Sequence, residues 1–519
     1  MASSYLSPGV YVEEVSSGSK PIEAAGTAVA AFVGFAERGP VDEPVLVTSW
    51  TQFCSTFGGV VPGGCLALAV HGYFANGGGS SYVVRLGAAP ESCLAAAADP
   101  AARLALPAAA GADLPRGDGD ERPALTVRAV SPAETDLVVE VQEVPDQPDD
   151  VFTLVVKRGA EPVETLEGLS TRRGPTHVVT AVRAQSSLIT VDEVQGRPLA
   201  VPRKGAAVAL RSAAPAPSGL TAGDVIGRAD ARTGLAGLEA VDEVTMLCIP
   251  DLVAAHSAGL LDDDGLQAVQ LAMISHCELM ADRVAILDTP AGLSAQQVKA
   301  WREQVNYDSK YAALYWPHLK VMNPLTGTAE LLPPSGHIAG IWARNDSTRG
   351  VHKAPANEVV RGAIALGTTI TRGEHDALNP SGINCIRSFT GQGIRVWGAR
   401  TLSSDPEWRY LNVRRLFNFV EKSILDGTNW VVFESNGPKL WDSVNRTITS
   451  FLRTCWRNDA FEGSSPAEAF YVKCDEDNNP RENRDVGLLT VEIGIAPVKP
   501  AEFVVFRLSQ YADGSGLEE

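Results

Sequence analysis

Between positions 83 and 300 the sequence holds a single aromatic residue, Phe152. Aromatic side chains supply much of the area that an ordinary core buries, so this stretch can build only a small one. A chain of 519 residues also exceeds what one core usually organises, which predicts several domains. From about 87 to 238 the sequence is rich in Ala, Pro, Gly and Asp, with short apolar runs at 137–144, 151–156 and 188–194. Runs of that kind predict a β-rich unit over 90–236, inserted into or peripheral to the rest, with 107–124 closer to a linker.

The flanks read differently. Strands are predicted at 29–35, 45–48 and 82–86 with a helix over 62–74, and VTMLCIPD (244–251) and RVAILDTP (283–290) are apolar runs ending at Asp251 and near Asp288. Helical spans at 263–281 and 294–304 separate these runs from YAALYWP, and a further helix and strand follow over 334–366. Such alternation predicts an α/β layer with a mainly parallel sheet. Further on come a strand at 394–400 and a helix over 406–426, with Ser404, Asp405 and Pro406 at its start and Gly427 at its end. Val413, Leu416, Phe417, Val420 and Ile424 share one face of that helix, which predicts packing on a sheet. A strand at 430–434, a helix over 438–457, and strands at 469–474 and 487–495 complete this region.

Several function classes are disfavoured. A net charge of -18 argues against nucleic acid or an anionic membrane as general partners. No apolar run reaches membrane-spanning length and no secretory signal is read, which places assembly in the cytoplasm. The eight cysteines form no CxxC pair, which fits reduced, buried thiols. Phosphate-loop, dinucleotide, nucleophile-elbow and zinc-helix motifs are absent, so no catalytic residue, cofactor or metal is predicted. Asp251 and Asp288 stand where α/β enzymes place catalytic groups, but capping or loop roles account for them better. His337 and His375 read as surface loop residues, and Asp262 to Asp264 as the acidic start of a helix.

Both ends of the chain resemble the contractile tail sheath family. The likeness lies in SPGVYVEEV, GTAVAAFVGFAERGPVDEPVLVTSWTQFCSTFGG (26–59) and FANGGGSSYVVRL (74–86). Towards the C-terminus it lies in GQGIRVWGARTLSSDPEWRYLNVRRLFNFVEKSILDGTNWVVFE (391–434), FLRTCWRNDAFEG (451–463) and GLLTVEIGIAPVKPAEFVVFRLSQ (487–510). The resemblance implies an α+β multidomain subunit with a central, subtilisin-like α/β layer, a C-terminal α/β sheath domain, an inserted β-rich peripheral domain, and extended terminal arms. The expected divisions are 1–25 (arm), 26–89 with 237–390 (core), 90–236 (insertion), 391–499 (C-terminal domain) and 500–519 (arm).

It further implies a bacterial helical homo-polymer of six-subunit rings around an inner tube protein, with baseplate and cap proteins as other partners. The polymer contracts and can be released on lysis, as a phage tail or an injection system. In the arms, Val10 and Val12 alternate with Tyr11 and Glu13, and Phe503, Val505 and Arg507 with Val504, Phe506 and Leu508. Such strands can pair with the sheet of a neighbouring copy, with hinges expected at 16–21 and 496–500. On the 438–457 helix, Arg446, Arg453 and Arg457 lie opposite the apolar face as candidate contacts to an acidic inner tube. Two other readings stay open: a hydrolase using the α/β layer, and a non-contracting tail or baseplate component.

Overall fold

The computed structural model describes residues 21–61, 63–87, 103–107, 123–129, 137–143, 148, 150–158, 161–172, 174, 176–186, 188–192, 201–205, 207–210 and 220–503. Strand β1 (Val29–Gly34) opens the fold, followed by β2 (Val45–Val47), helix α1 (Trp50–Phe57), helix α2 (Leu66–Asn76) and β3 (Ser80–Arg85). Helix α1 has no counterpart in the sequence reading, and α2 begins at Leu66, four residues later than predicted. The cause is Asp251, whose carboxylate accepts the Cys65 and Leu66 amides at the helix start.

The insertion follows: β4 (Arg103–Pro107), β5 (Pro123–Ala129), β6 (Leu137–Glu143), β7 (Val151–Arg158), β8 (Glu161–Ser170), helix α3 (Val178–Gln185), β9 (Ile189–Asp192) and β10 (Ala207–Leu210). These strands form two antiparallel sheets, ordered β10-β6-β7-β8 and β4-β5-β9. Leu125, Val139, Val156 and Val182 enclose Phe152, the one aromatic of the stretch, in a separate core.

Beyond it run β11 (Met246–Cys248), helix α4 (Asp251–Ser257), helix α5 (Asp263–Met280), β12 (Val284–Asp288), helix α6 (Ala295–Val305), β13 (Ala312–Trp316), β14 (Leu319–Met322) and β15 (Ala329–Leu332). Helix α7 (Ser335–Arg349), β16 (Glu358–Val359), β17 (Ala363–Leu366), helix α8 (Arg372–Leu378), β18 (Ile383–Phe389) and β19 (Gly393–Val396) complete this part. Nine strands make one sheet, ordered β16-β19-β18-β13-β12-β11-β1-β3-β2. The six from β18 to β3 are parallel, and antiparallel strands close both edges. Strands β11, β12 and β13 are buried along their whole length, as sequences with no polar alternation require in a sheet covered on both faces.

Side chains alternate between two core layers, Ala31 and Val33 facing Val269, Met273 and Leu287, and Ala30 and Phe32 facing Tyr73, Ile338 and Trp342. Helices α2 and α7 cross closely because Gly72 admits the His337 ring and Gly336 and Gly340 admit the backbone of Ala69 and Tyr73. His337 and His375 therefore lie on helices α7 and α8 and are buried, not in surface loops. Asp262 caps α5 by accepting the Gly265 amide at 2.8 Å.

The C-terminal part holds helix α9 (Leu411–Thr428), helix α10 (Pro438–Arg457), β20 (Phe470–Lys473) and β21 (Glu492–Ile495). Helix α10 has the predicted limits and buries Trp441, Val444, Ile448, Phe451, Leu452 and Cys455. Helix α9 starts five residues after the predicted Pro406: Ser404 bonds Asp308, and Asp405 accepts the Glu407 amide, closing a turn instead. Gly427 lies inside the helix, where a Cβ would stand 2.6 Å from Ile22 Cγ1. The apolar face of α9 meets α10, with the Phe419 and Phe451 rings 6.0 Å apart, and Phe417 turns to Trp408 at 4.9 Å.

No strand forms at 430–434. A 3-10 turn spans Asn429–Val431, and Phe433, at φ 67°, is fully exposed. Strand β19 ends at Val396, and β21 begins only at Glu492.

Candidate functional site

The C-terminal end of the described chain is fastened to the body. Ala496 donates its amide to Ala469 O at 2.9 Å and accepts from the Glu462 amide at 2.8 Å, and Asn412 Nδ2 donates to Val498 O at 3.0 Å. Arg400 then grips the Glu502 carboxylate in a fork, Nε at 2.8 Å and Nη2 at 2.7 Å. Asn379 Nδ2 at 2.8 Å and the Tyr410 hydroxyl at 3.1 Å complete the grip. Burial pushes the Glu502 pKa up, but these donors outweigh it and hold the carboxyl below its usual range. Within the expected hinge 496–500, Ala496 and Val498 are hydrogen-bonded to the body of the same chain. Phe503, one residue beyond the grip, is 74% exposed.

The N-terminal end is tied to the same helix. The Ala25 amide donates to Ser423 Oγ at 3.0 Å, and Arg415 Nη2 donates to Thr27 O at 3.0 Å. Arg415 also forms a buried fork with Asp346, at 2.9 and 2.6 Å, and lies over the Trp342 ring, so α9, α7 and the N-terminal segment share one cation. Between this segment and α10 lies a cleft of about 1090 Å³, bordered by Ile22, Ala25, Arg349, Lys439, Arg446 and Phe451.

Of the residues singled out from the sequence, Val10, Tyr11, Val12, Glu13, Val504, Val505, Phe506 and Leu508 lie outside the described residues, as do 16–20 of the other expected hinge. Arg446, Arg453 and Arg457 are exposed on the outer side of α10, and only Arg446 borders the cleft. Sequence reasoning missed Arg400, Glu502, Asp346 and Arg415. Asp346 and Arg415 lie 69 positions apart, Arg400 and Glu502 102, and only tertiary contact brings each pair together.

At the carboxyl ends of the parallel strands, where such sheets hold ligands, stand Asp251 and Asp288. The chain order reverses at β1, and there Asp251 accepts the Phe35 amide at 2.5 Å together with those of Cys65 and Leu66. Asp288 Oδ1 accepts the Ser335 amide at 2.9 Å, at the start of α7. Both are buried, at 1% and 4% exposure, and these carboxylates join strand ends to helix starts. Burial, opposed by these amides, raises Asp251 to about 6 and Asp288 to about 7. His337, desolvated and close to His71, is lowered to about 4 and stays neutral. Among the described residues no cluster of His, Cys, Asp or Glu could hold a metal ion.

These features define a mixed α/β, multidomain protein whose described chain ends are both fastened to one helix. Family models for the phage tail sheath protein central domain match residues 224–402, and for the phage tail sheath C-terminal domain residues 403–510, together more than half of the chain. The tail sheath protein of Burkholderia phage BcepMu is 25% identical across 98% of this chain and 97% of its own length. That of Vibrio phage KVP40 is 25% identical, but the match spans 53% of this chain and only 41% of the relative. A prophage major tail sheath protein of Pseudomonas aeruginosa is 28% identical over 47% of this chain and 61% of its own.

The fold is that of the anti-feeding prophage helical sheath in its contracted state, with TM-score 0.59, 23% identity, and 97% and 99% of the two chains covered. The sheath of the extracellular contractile injection system PVC, also contracted, gives TM-score 0.56 at 22% identity, covering 98% of each chain. The chain belongs to the phage tail sheath family.

Proposed function

We propose that the chain is the sheath subunit of a contractile tail or injection system, polymerising as stacked six-subunit rings around an inner tube and shortening to drive that tube forward. The observation that carries this reading is the pairing of fastened chain ends with an open sheet. Among the described residues β20 and β21 pair only with each other; Asn445 Nδ2 already donates to Val472 O on the outer side of β20, and the outer edge of β21 is the one open to an added strand. The parts of the arms 1–25 and 500–519 that lie beyond these fastenings are proposed to supply strands to neighbouring copies. Shortening needs no nucleotide in this reading: a trapped, extended lattice relaxes to one that buries more surface.

In the domain division proposed here, 26–89 with 237–390 form the core, 90–236 the peripheral insertion and 391–499 the C-terminal domain. The parallel layer is read as subtilisin-like in path without hydrolytic chemistry, since its crevice residue Asp251 is engaged by three backbone amides. The exposed Arg446, Arg453 and Arg457 are proposed to face an acidic inner tube through weak, separable charge contacts, with baseplate and cap proteins at the two ends. Deleting 1–20 or 503–519 tests the reading: the expected outcome is a folded subunit that forms no long striated polymers by electron microscopy. Polymers of normal length from either truncation overturn it.

A further inference from the structure

Four donors converge on one carboxylate at the last fastened position of the chain. Arg400 gives Glu502 two parallel N–H bonds, Asn379 Nδ2 a third and the Tyr410 hydroxyl a fourth. Arg400 is in turn held by the central sheet, because its amide donates to Asn384 Oδ1 at 2.7 Å and its carbonyl accepts from Asn384 Nδ2 at 2.8 Å. Asn384 lies in β18, is fully buried, and leaves no room for a side chain at position 398, where Gly398 stands. Asn379 belongs to the turn Asn379–Ser381 that leads into the same strand. A continuous polar path therefore runs from Glu502 through Arg400 to β18, the edge-side strand of the parallel part of the nine-stranded sheet.

We infer that Glu502 is the anchor that sets where the C-terminal arm departs and passes any pull on that arm through Arg400 and Asn384 into β18. The inference rests on the strand-exchange reading above and adds to it a specific residue and route. Without this grip a pull on the arm would act on the 496–498 ladder, whose contacts are single bonds of 2.8 to 3.4 Å that give way one at a time. With it, the pivot falls at Phe503 and the fork, two parallel charge-assisted bonds, is loaded in concert.

Amide exchange followed by mass spectrometry on the unassembled full-length chain tests the anchor independently of assembly. Glu502→Ala is expected to speed exchange over 496–503 at least tenfold while leaving β18 and the midpoint of thermal unfolding unchanged. Tyr410→Phe, which removes one donor, is expected to give an intermediate effect. The exchanged pair Glu502→Arg with Arg400→Glu should recover most of the protection, which a merely space-filling role would not permit. In polymers, Glu502→Ala should shorten sheaths several-fold after shearing, with recovery in the exchanged pair. Unchanged exchange in Glu502→Ala overturns the anchor, and unchanged length after shearing overturns the route of the pull. Failure of strand exchange itself would instead appear as normal polymers from the 503–519 deletion.

Discussion

Asp251 and Asp288 occupy positions that catalysts often take in parallel sheets, yet Asp251 spends both oxygens on three backbone amides and Asp288 Oδ1 accepts the Ser335 amide. Both fold with a pKa above the ordinary value of 3.8, so the folded chain keeps their protons longer than the unfolded one. Their contribution to stability is whole below about pH 4 and is lost as pH rises through about 6 for Asp251 and about 7 for Asp288. Asp288→Asn is therefore expected to flatten the pH dependence of unfolding between about pH 4 and 7 by a few kcal/mol, measured against the parent chain by urea titration. Asp346 is a different case, because its partner Arg415 is 4% exposed and has nowhere to be solvated. Asp346→Ala should cost about 3–5 kcal/mol in the same titration, since a buried cation is left without its counter-charge.

At the scale of elements, the crossing of α2 and α7 depends on glycine more than on apolar pattern. A Cβ at Gly336 would fall within contact distance of the Ala69 backbone, whereas one at Gly373, on α8, would meet nothing within 4 Å. Gly336→Ala is expected to destabilise by about 1–3 kcal/mol through overpacking. Gly373→Ala should stabilise by about 0.4–1 kcal/mol, because it only narrows the unfolded ensemble. Opposite signs in denaturant melts of the two variants check both. Helix α10 was legible because its apolar repeat is unbroken from Trp441 to Cys455. The start of α9 was not, because Ser404 and Asp405 resemble a cap in sequence and are claimed by Asp308 and a local turn in space.

Over the whole molecule, the insertion has its own core around Phe152, while the nine-stranded sheet closes without it: β3 precedes it, β11 follows it, and both flank β1. Replacing 88–219 by a short Gly/Ser linker is expected to leave a folded chain with an unchanged cooperative unfolding midpoint to within a few degrees, read by circular dichroism. Loss of cooperative unfolding would show that the insertion supports the core. The stripe Arg446, Arg453 and Arg457 belongs to this scale too. Changing Arg446 and Arg453 to Glu should leave the subunit folded, since both are exposed, and abolish extended sheaths on inner tubes by electron microscopy.

The alternation of strands and helices in the core, the β-rich character of the small unit and the helix 438–457 were legible in the sequence alone, because apolar periodicity and aromatic content are local properties of the chain, whereas α1, α4, α8 and β18 were not. The family was legible too, through motifs kept in order at both ends. Only the tertiary structure decided that Asp251 accepts three backbone amides, that His337 and His375 are buried, that 430–434 is no strand, and that Arg400 grips Glu502. Two of these depend on a partner distant in sequence, Phe35 for Asp251 and Arg400 for Glu502. A pairing made in space between residues about a hundred or more positions apart leaves no period or spacing in the chain from which it could be read.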